Sequence, residues 1–170
     1  MPSTSADAPP PDEAGLDVRP FRALLYRERD AAHLARVSSP AYDLVTAAGR
    51  ERLAAADPHN IVRLILPHVD PAASPSGTRA GRDLASATVA ARTLHEWLAG
   101  GVLVRDDAPA LWRYEMAAPG SEPTTGWLGA VTVPAAGSPA VLPHEDTFAP
   151  AVAGRAALLA ATHTLSLIHI

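Results

Sequence analysis

The chain has no cysteine and no lysine. Without cysteine, disulfides, thiolate catalysis and Cys-based zinc sites are excluded within these 170 residues. Without lysine, neither a Schiff base nor a Walker-type phosphate lysine can form here. Every permanent side-chain cation is therefore an arginine. Aromatic residues are scarce, at 5%, so a core of small and aliphatic side chains is expected. No block of basic residues stands out and the net charge is -4, which argues against a nucleic-acid partner held by phosphate contacts. No apolar stretch is long enough to cross a membrane. Residues Met1 to Gly15 lack a basic region followed by an apolar run, so they do not read as a signal peptide. A soluble cytoplasmic protein is expected, with no membrane or nucleic-acid partner. Cofactor and oligomeric state stay unassigned.

What is present is enough apolar residue, 48%, for one sizeable core. Residues 1–16, with Pro9-Pro10-Pro11 and few large apolar side chains, are expected to be a disordered tail. Residues 17–164 are expected to form a single α+β domain: a mixed sheet with a long amphipathic helix and shorter helices packed on it. Val18, Phe21, Leu24, Leu25 and Tyr26 predict a first strand, and Arg29 to Val37 a short helix. A turn is set at Pro40. Thr46 is placed to cap a helix over Ala47 to Ala56, and Asp57-Pro58 ends it. Asn60 to Leu66 reads as the clearest strand, apolar on both faces and so central, with Arg63 on the face of Ile61 and Ile65. Val69 to Ala80 reads as a mobile loop. Arg82 to Gly100 is the longest predicted helix, with Leu84, Ala87, Ala91, Leu94 and Leu98 as its apolar stripe. Short strands follow over Val102 to Val104, Leu111 to Met116 and Gly126 to Val133, linked by hairpin-length turns. Arg155 to Thr162 reads as helical. Trp97, Trp112 and Trp127 are expected in the core.

The last six residues, Leu165 to Ile170, do not match what precedes them. Isoleucine occurs only at Ile61 and Ile65 before this point, then at Ile168 and Ile170. The hexapeptide is also one reading frame of a common transposase-adapter end. We read it as adapter-derived, with a genuine apolar strand as the alternative. On the first reading His169 carries no function and the natural chain continues past Thr164.

A resemblance rests on motifs in a fixed order. They are Pro20-Phe21-Arg22-Ala23-Leu24, Ser39-Pro40-Ala41-Tyr42-Asp43, Asn60-Ile61-Val62-Arg63-Leu64 and Glu96-Trp97-Leu98, followed by Gly101-Val102-Leu103, Pro109-Ala110-Leu111-Trp112 and Tyr114-Glu115. Leu142-Pro143-His144-Glu145 with Thr147, and Arg155 with Leu158, Leu159, Ala161 and Thr162, complete the set. From about Arg19 to Thr164 the chain resembles the bacterial family known as domain of unknown function 1015. The resemblance implies a cytoplasmic protein of unassigned activity and, because family members are usually more than twice this length, an N-terminal fragment. Ala41 stands where members tend to carry a second proline.

Candidate chemistry centres on His144-Glu145-Asp146-Thr147. A histidine exchanges protons near neutral pH, and a neighbouring carboxylate can orient it or act as a base. The stretch is not a zincin motif, because Phe148 stands where the second histidine would be. Its structural alternative is a turn in which Asp146 or Thr147 caps the next segment. Arg63 is either an anchor for a phosphate or carboxylate or the partner of a buried carboxylate such as Asp43. Asp43 and Asn60 are substrate-binding candidates, or else hold local backbone. Thr147 and Arg155 are further binding candidates, with Arg155 and Thr162 able to meet a phosphate at a helix start. His68 can reach a shared site from its place after the Asn60 to Leu66 segment, or lie in a surface loop. No metal site is assigned. The leading expectation is a small-molecule enzyme with His144 and Glu145 as acid/base pair, acting on an anionic substrate. The alternative is a non-catalytic ligand-binding or regulatory module.

Overall fold

The computed structural model describes residues 16–70, 78–117, 120–135, 137–141 and 147–165. Residues 1–15 of the expected disordered tail over 1–16, most of the expected loop after Val69, and residues 142–146 with His144 and Glu145 lie outside the described residues. So do residues 166–170 of the terminal hexapeptide. In chain order the elements are β1 (Val18–Arg19), β2 (Leu24–Tyr26), α1 (Ala31–Val37), α2 (Ala47–Ala56), α3 (Val62–Ile65), α4 (Arg79–Ala99), β3 (Leu103–Arg105), β4 (Trp112–Met116), β5 (Thr124–Leu128), β6 (Ala130–Val131) and α5 (Ala149–Thr162). The class is α+β. Among the described residues the strands pair as three two-stranded sheets, β1 with β6, β2 with β3 and β4 with β5. The chain forms two compact units, one of Met1–Ala23 with Arg105–Asp146, the other of Leu24–Val104 with Thr147–Ile170.

The larger unit holds the helices. Its core joins Tyr26, Val37, Ile61, Ile65, Leu94, Trp97 and Leu103. Burying a large apolar side chain is worth about 1.5–3 kcal/mol, so this cluster is the main cohesive element of the unit. Helix α2 starts where Thr46 predicts, its hydroxyl accepting from the Gly49 amide at 3.1 Å. Helix α4 begins a turn earlier than the sequence predicts, capped by Thr78. It ends at Gly100 and Gly101. The Gly101 amide donates to the Leu98 carbonyl and the Val102 amide to the Trp97 carbonyl. Gly101 takes φ 69°, a left-handed conformation that glycine adopts without penalty. Helix α5 packs along α4.

Two expectations about this unit are overturned. Asn60 to Leu66 is not a strand. Asn60 is fully buried; its amide donates to the carbonyls of Arg36 at 2.7 Å and Ser38 at 2.8 Å, while its oxygen accepts from the Val62 amide at 3.0 Å. These bonds turn the chain into the short helix α3, which buries Ile61, Val62 and Ile65. β-Branched residues prefer strands only weakly, and the three Asn60 bonds with helical-spaced burial outweigh that preference. Arg63 consequently leaves the face of Ile61 and Ile65. The second correction concerns α4: Leu84 is 65% exposed, and the buried stripe is Ala87, Ala90, Leu94 and Trp97.

The smaller unit is built of strands. β4 and β5 pair antiparallel, with Trp112 opposite Leu128 and Tyr114 opposite Gly126. β1 and β6 pair antiparallel, Val18 opposite Val131. Phe21 and Ala110 exchange backbone hydrogen bonds at 3.0 Å each way. Trp127, expected in the core, is 70% exposed, because it alternates to the outer face of this two-stranded hairpin. Among the described residues, no helix is long and apolar enough to cross a membrane.

Candidate functional site

The candidate site lies within the helical unit, where α2, α3 and α4 bring arginines from separate stretches of chain to one cavity. This cavity has a volume of about 250 Å³ and is lined by Arg50, Arg63, His68, Arg92, Glu96 and Trp97 among others. Among the described residues its charged lining is three arginines and one glutamate, which is net positive before His68 is counted.

Each cation is held differently. Arg50, in the first half of α2, donates from Nε to the Leu66 carbonyl at 3.0 Å and pairs with Glu51 at 2.8 Å. Glu51 also faces His68, with Nδ1 3.5 Å from its carboxylate. Arg92 reaches Glu96, one turn along α4, at 3.9 Å. Arg63 donates from Nη2 to the Ala54 carbonyl at 2.6 Å, near the C-terminal end of α2, where a cation suits the helix dipole. Its Nε is buried without a hydrogen-bond partner. Among the described residues no carboxylate pairs with Arg63, so the Asp43 ion pair considered from sequence does not form. Asp43 is exposed in a 3-10 turn over Tyr42–Leu44.

A second cavity, of about 710 Å³, shares Arg50 and His68 with the first. Its apolar lining includes Val45, Ala48, Leu66, Pro67, Ala87 and Leu158. Arg155 lines it from α5. This residue lies in the middle of α5, not at a helix start as the sequence predicts, because Ala149 and Pro150 open the helix earlier. Arg155 donates from Nη1 to the Ile65 carbonyl at 3.2 Å, and its guanidinium lies over the Tyr42 ring. Thr162 stands in the last turn, where its hydroxyl donates to the Leu158 carbonyl at 2.8 Å.

Of the candidates named from sequence, Arg63, Arg155 and His68 line these two cavities. Asp43, Asn60 and Thr147 line neither. Asn60 spends both amide hydrogens on backbone carbonyls, and Thr147 is exposed just ahead of Phe148, the N-cap of α5. His144 and Glu145 lie outside the described residues. Arg50 and Arg92 carry no mark in the sequence, since each sits in an ordinary helical stretch and only packing brings them to one cavity. Among the described residues, no three histidine, aspartate or glutamate side chains gather as a metal site requires.

No curated protein and no solved structure matches the chain. Residues 18–168 match the family described as protein of unknown function (DUF1015), and the chain belongs to that family.

Proposed function

We propose that this is a cytoplasmic protein that binds an anionic small molecule in the arginine-lined cavity of the helical unit. The observation that carries the reading is Arg63. Among the described residues this partly buried guanidinium has only the Ala54 carbonyl and no carboxylate as partner, which is costly, and an anion entering the adjoining cavity would compensate it. Arg50 and Arg92 add charge on the same cavity, and guanidinium groups suit the planar, two-point recognition of phosphate and carboxylate.

Catalysis is the further step of the same proposal. His144 and Glu145 are the acid/base pair that the sequence offers for such a step, and the cavity arginines are the anion-binding groups. Without that step the protein is a ligand-binding or regulatory module on the same cavity.

The test is calorimetric titration of the intact chain with phosphorylated and carboxylated metabolites. Saturable binding that weakens roughly tenfold in Arg92→Gln is expected, as for the loss of one charged hydrogen-bond donor. Undiminished binding in both Arg92→Gln and Arg63→Gln would sink the proposal. Turnover of a bound anion that disappears in His144→Ala, with binding retained, would establish the catalytic step; turnover unchanged in that variant would remove it.

A further inference from the structure

The proposed anion site does not stand alone. Arg50 and His68 line both cavities, one small and charged, the other nearly three times larger and lined by aliphatic side chains together with Glu51, Arg82, Asp83 and Arg155. Bare phosphate or acetate would leave the larger space without an occupant. A pocket with a few polar groups at one end and an apolar remainder is the usual form of a site for an organic ligand.

Resting on the anion-binding reading, we infer that the ligand is an organic anion. Its phosphate or carboxylate head sits among Arg50, Arg63 and Arg92, and a mostly apolar body extends past Arg50 and His68 into the larger cavity. The apolar body meets Val45 and Ala48 of α2 and its approach, Leu66 and Pro67 after α3, Ala87 of α4 and Leu158 of α5. The guanidinium of Arg155, over the Tyr42 ring and bonded to the Ile65 carbonyl, lines the larger cavity and so borders the body. Selection of the head is then electrostatic and selection of the body is by apolar area, so the two are separable by substitution.

Matched probes test this on the intact chain. Inorganic phosphate is compared with phenyl phosphate, and acetate with phenylacetate, by calorimetry or competition. The phenyl-bearing member of each pair is expected to bind at least about tenfold more tightly, since burying a ring is worth a kcal/mol or more. Whichever pair binds more tightly identifies the head. Ala48 is exposed on the first turn of α2, so Ala48→Phe or the milder Ala48→Leu fills the larger cavity from its rim. Either substitution should abolish the phenyl advantage while leaving the affinity for the bare anion within about twofold, the fold being checked by thermal melting. Equal affinities within both pairs, or a phenyl advantage that survives both Ala48 variants, would overturn this inference and leave the anion site standing. Absence of binding by all four probes would overturn both.

Discussion

Arg155 holds its guanidinium over the ring of Tyr42, with Cζ 4.0 Å from the ring centroid. The same guanidinium donates to the Ile65 carbonyl at 3.2 Å. One side chain thereby ties α5 to the 3-10 turn after α1 and to the end of α3. Arg155→Ala should destabilise the helical unit by about 1–3 kcal/mol, combining a cation–π contact with a charged hydrogen bond. Tyr42→Leu should remove only the first part. Urea denaturation of the two variants measures the difference.

Asn60→Ala should be among the most damaging single changes. It leaves the Arg36 and Ser38 carbonyls and the Val62 amide without partners in a fully buried place. A loss of about 2–4 kcal/mol is expected from such a set of orphaned groups. Asn60→Asp should not rescue it, because a carboxylate keeps the bond from Val62 but faces two carbonyl oxygens.

Tyr26 sets a pH limit at the alkaline end. Burial pushes its hydroxyl above the ordinary tyrosine value, and the Asp57 carboxylate pushes the same way. The neutral form is therefore favoured in the folded state more than in the unfolded one. Its contribution is fully present below the unfolded value of about 10 and is lost as pH rises beyond it. Urea midpoints between pH 8 and pH 11 should fall for the unsubstituted chain and stay flatter for Tyr26→Phe. That variant also loses the hydroxyl's 2.7 Å bond to the His59 carbonyl, worth about 1 kcal/mol.

Gly126 faces Tyr114 across the β4–β5 hairpin, and any Cβ at this position would run into the tyrosine ring. Gly126→Ala should cost about 1–3 kcal/mol by overpacking. Adding Tyr114→Ala should relieve the clash, so the double variant is less destabilised than the sum of the singles. A strictly additive cycle would mean that the ring moves aside freely.

Legibility in the sequence followed the physics of each segment. Helix α2 was readable because its signals are local: a threonine cap at one end and Asp57-Pro58 at the other. Helix α3 was not. Ile61-Val62-Arg63-Leu64-Ile65 has strand composition, and a short apolar run carries no period that separates strand from helix. Its conformation is decided by Asn60 reaching the carbonyls of Arg36 and Ser38, more than twenty residues earlier in the chain. Arg63 could be picked out as an odd charge in an apolar run, and Arg155 as part of a family motif. Arg50 and Arg92 carry no such mark: their meaning comes from the packing of α2 and α4 around one cavity, and helix-face patterns do not encode it.

The tryptophans give each compact unit its own optical signature. Trp97 is 5% exposed in the helical core, while Trp127 is 70% exposed on the hairpin of the other unit. Acrylamide should quench Trp127 readily and spare Trp97. With Trp112 and Trp127 replaced by phenylalanine, the remaining emission would follow the melting of the helical unit alone, and the arginine-lined cavity beside Trp97 would acquire a built-in reporter of ligand arrival.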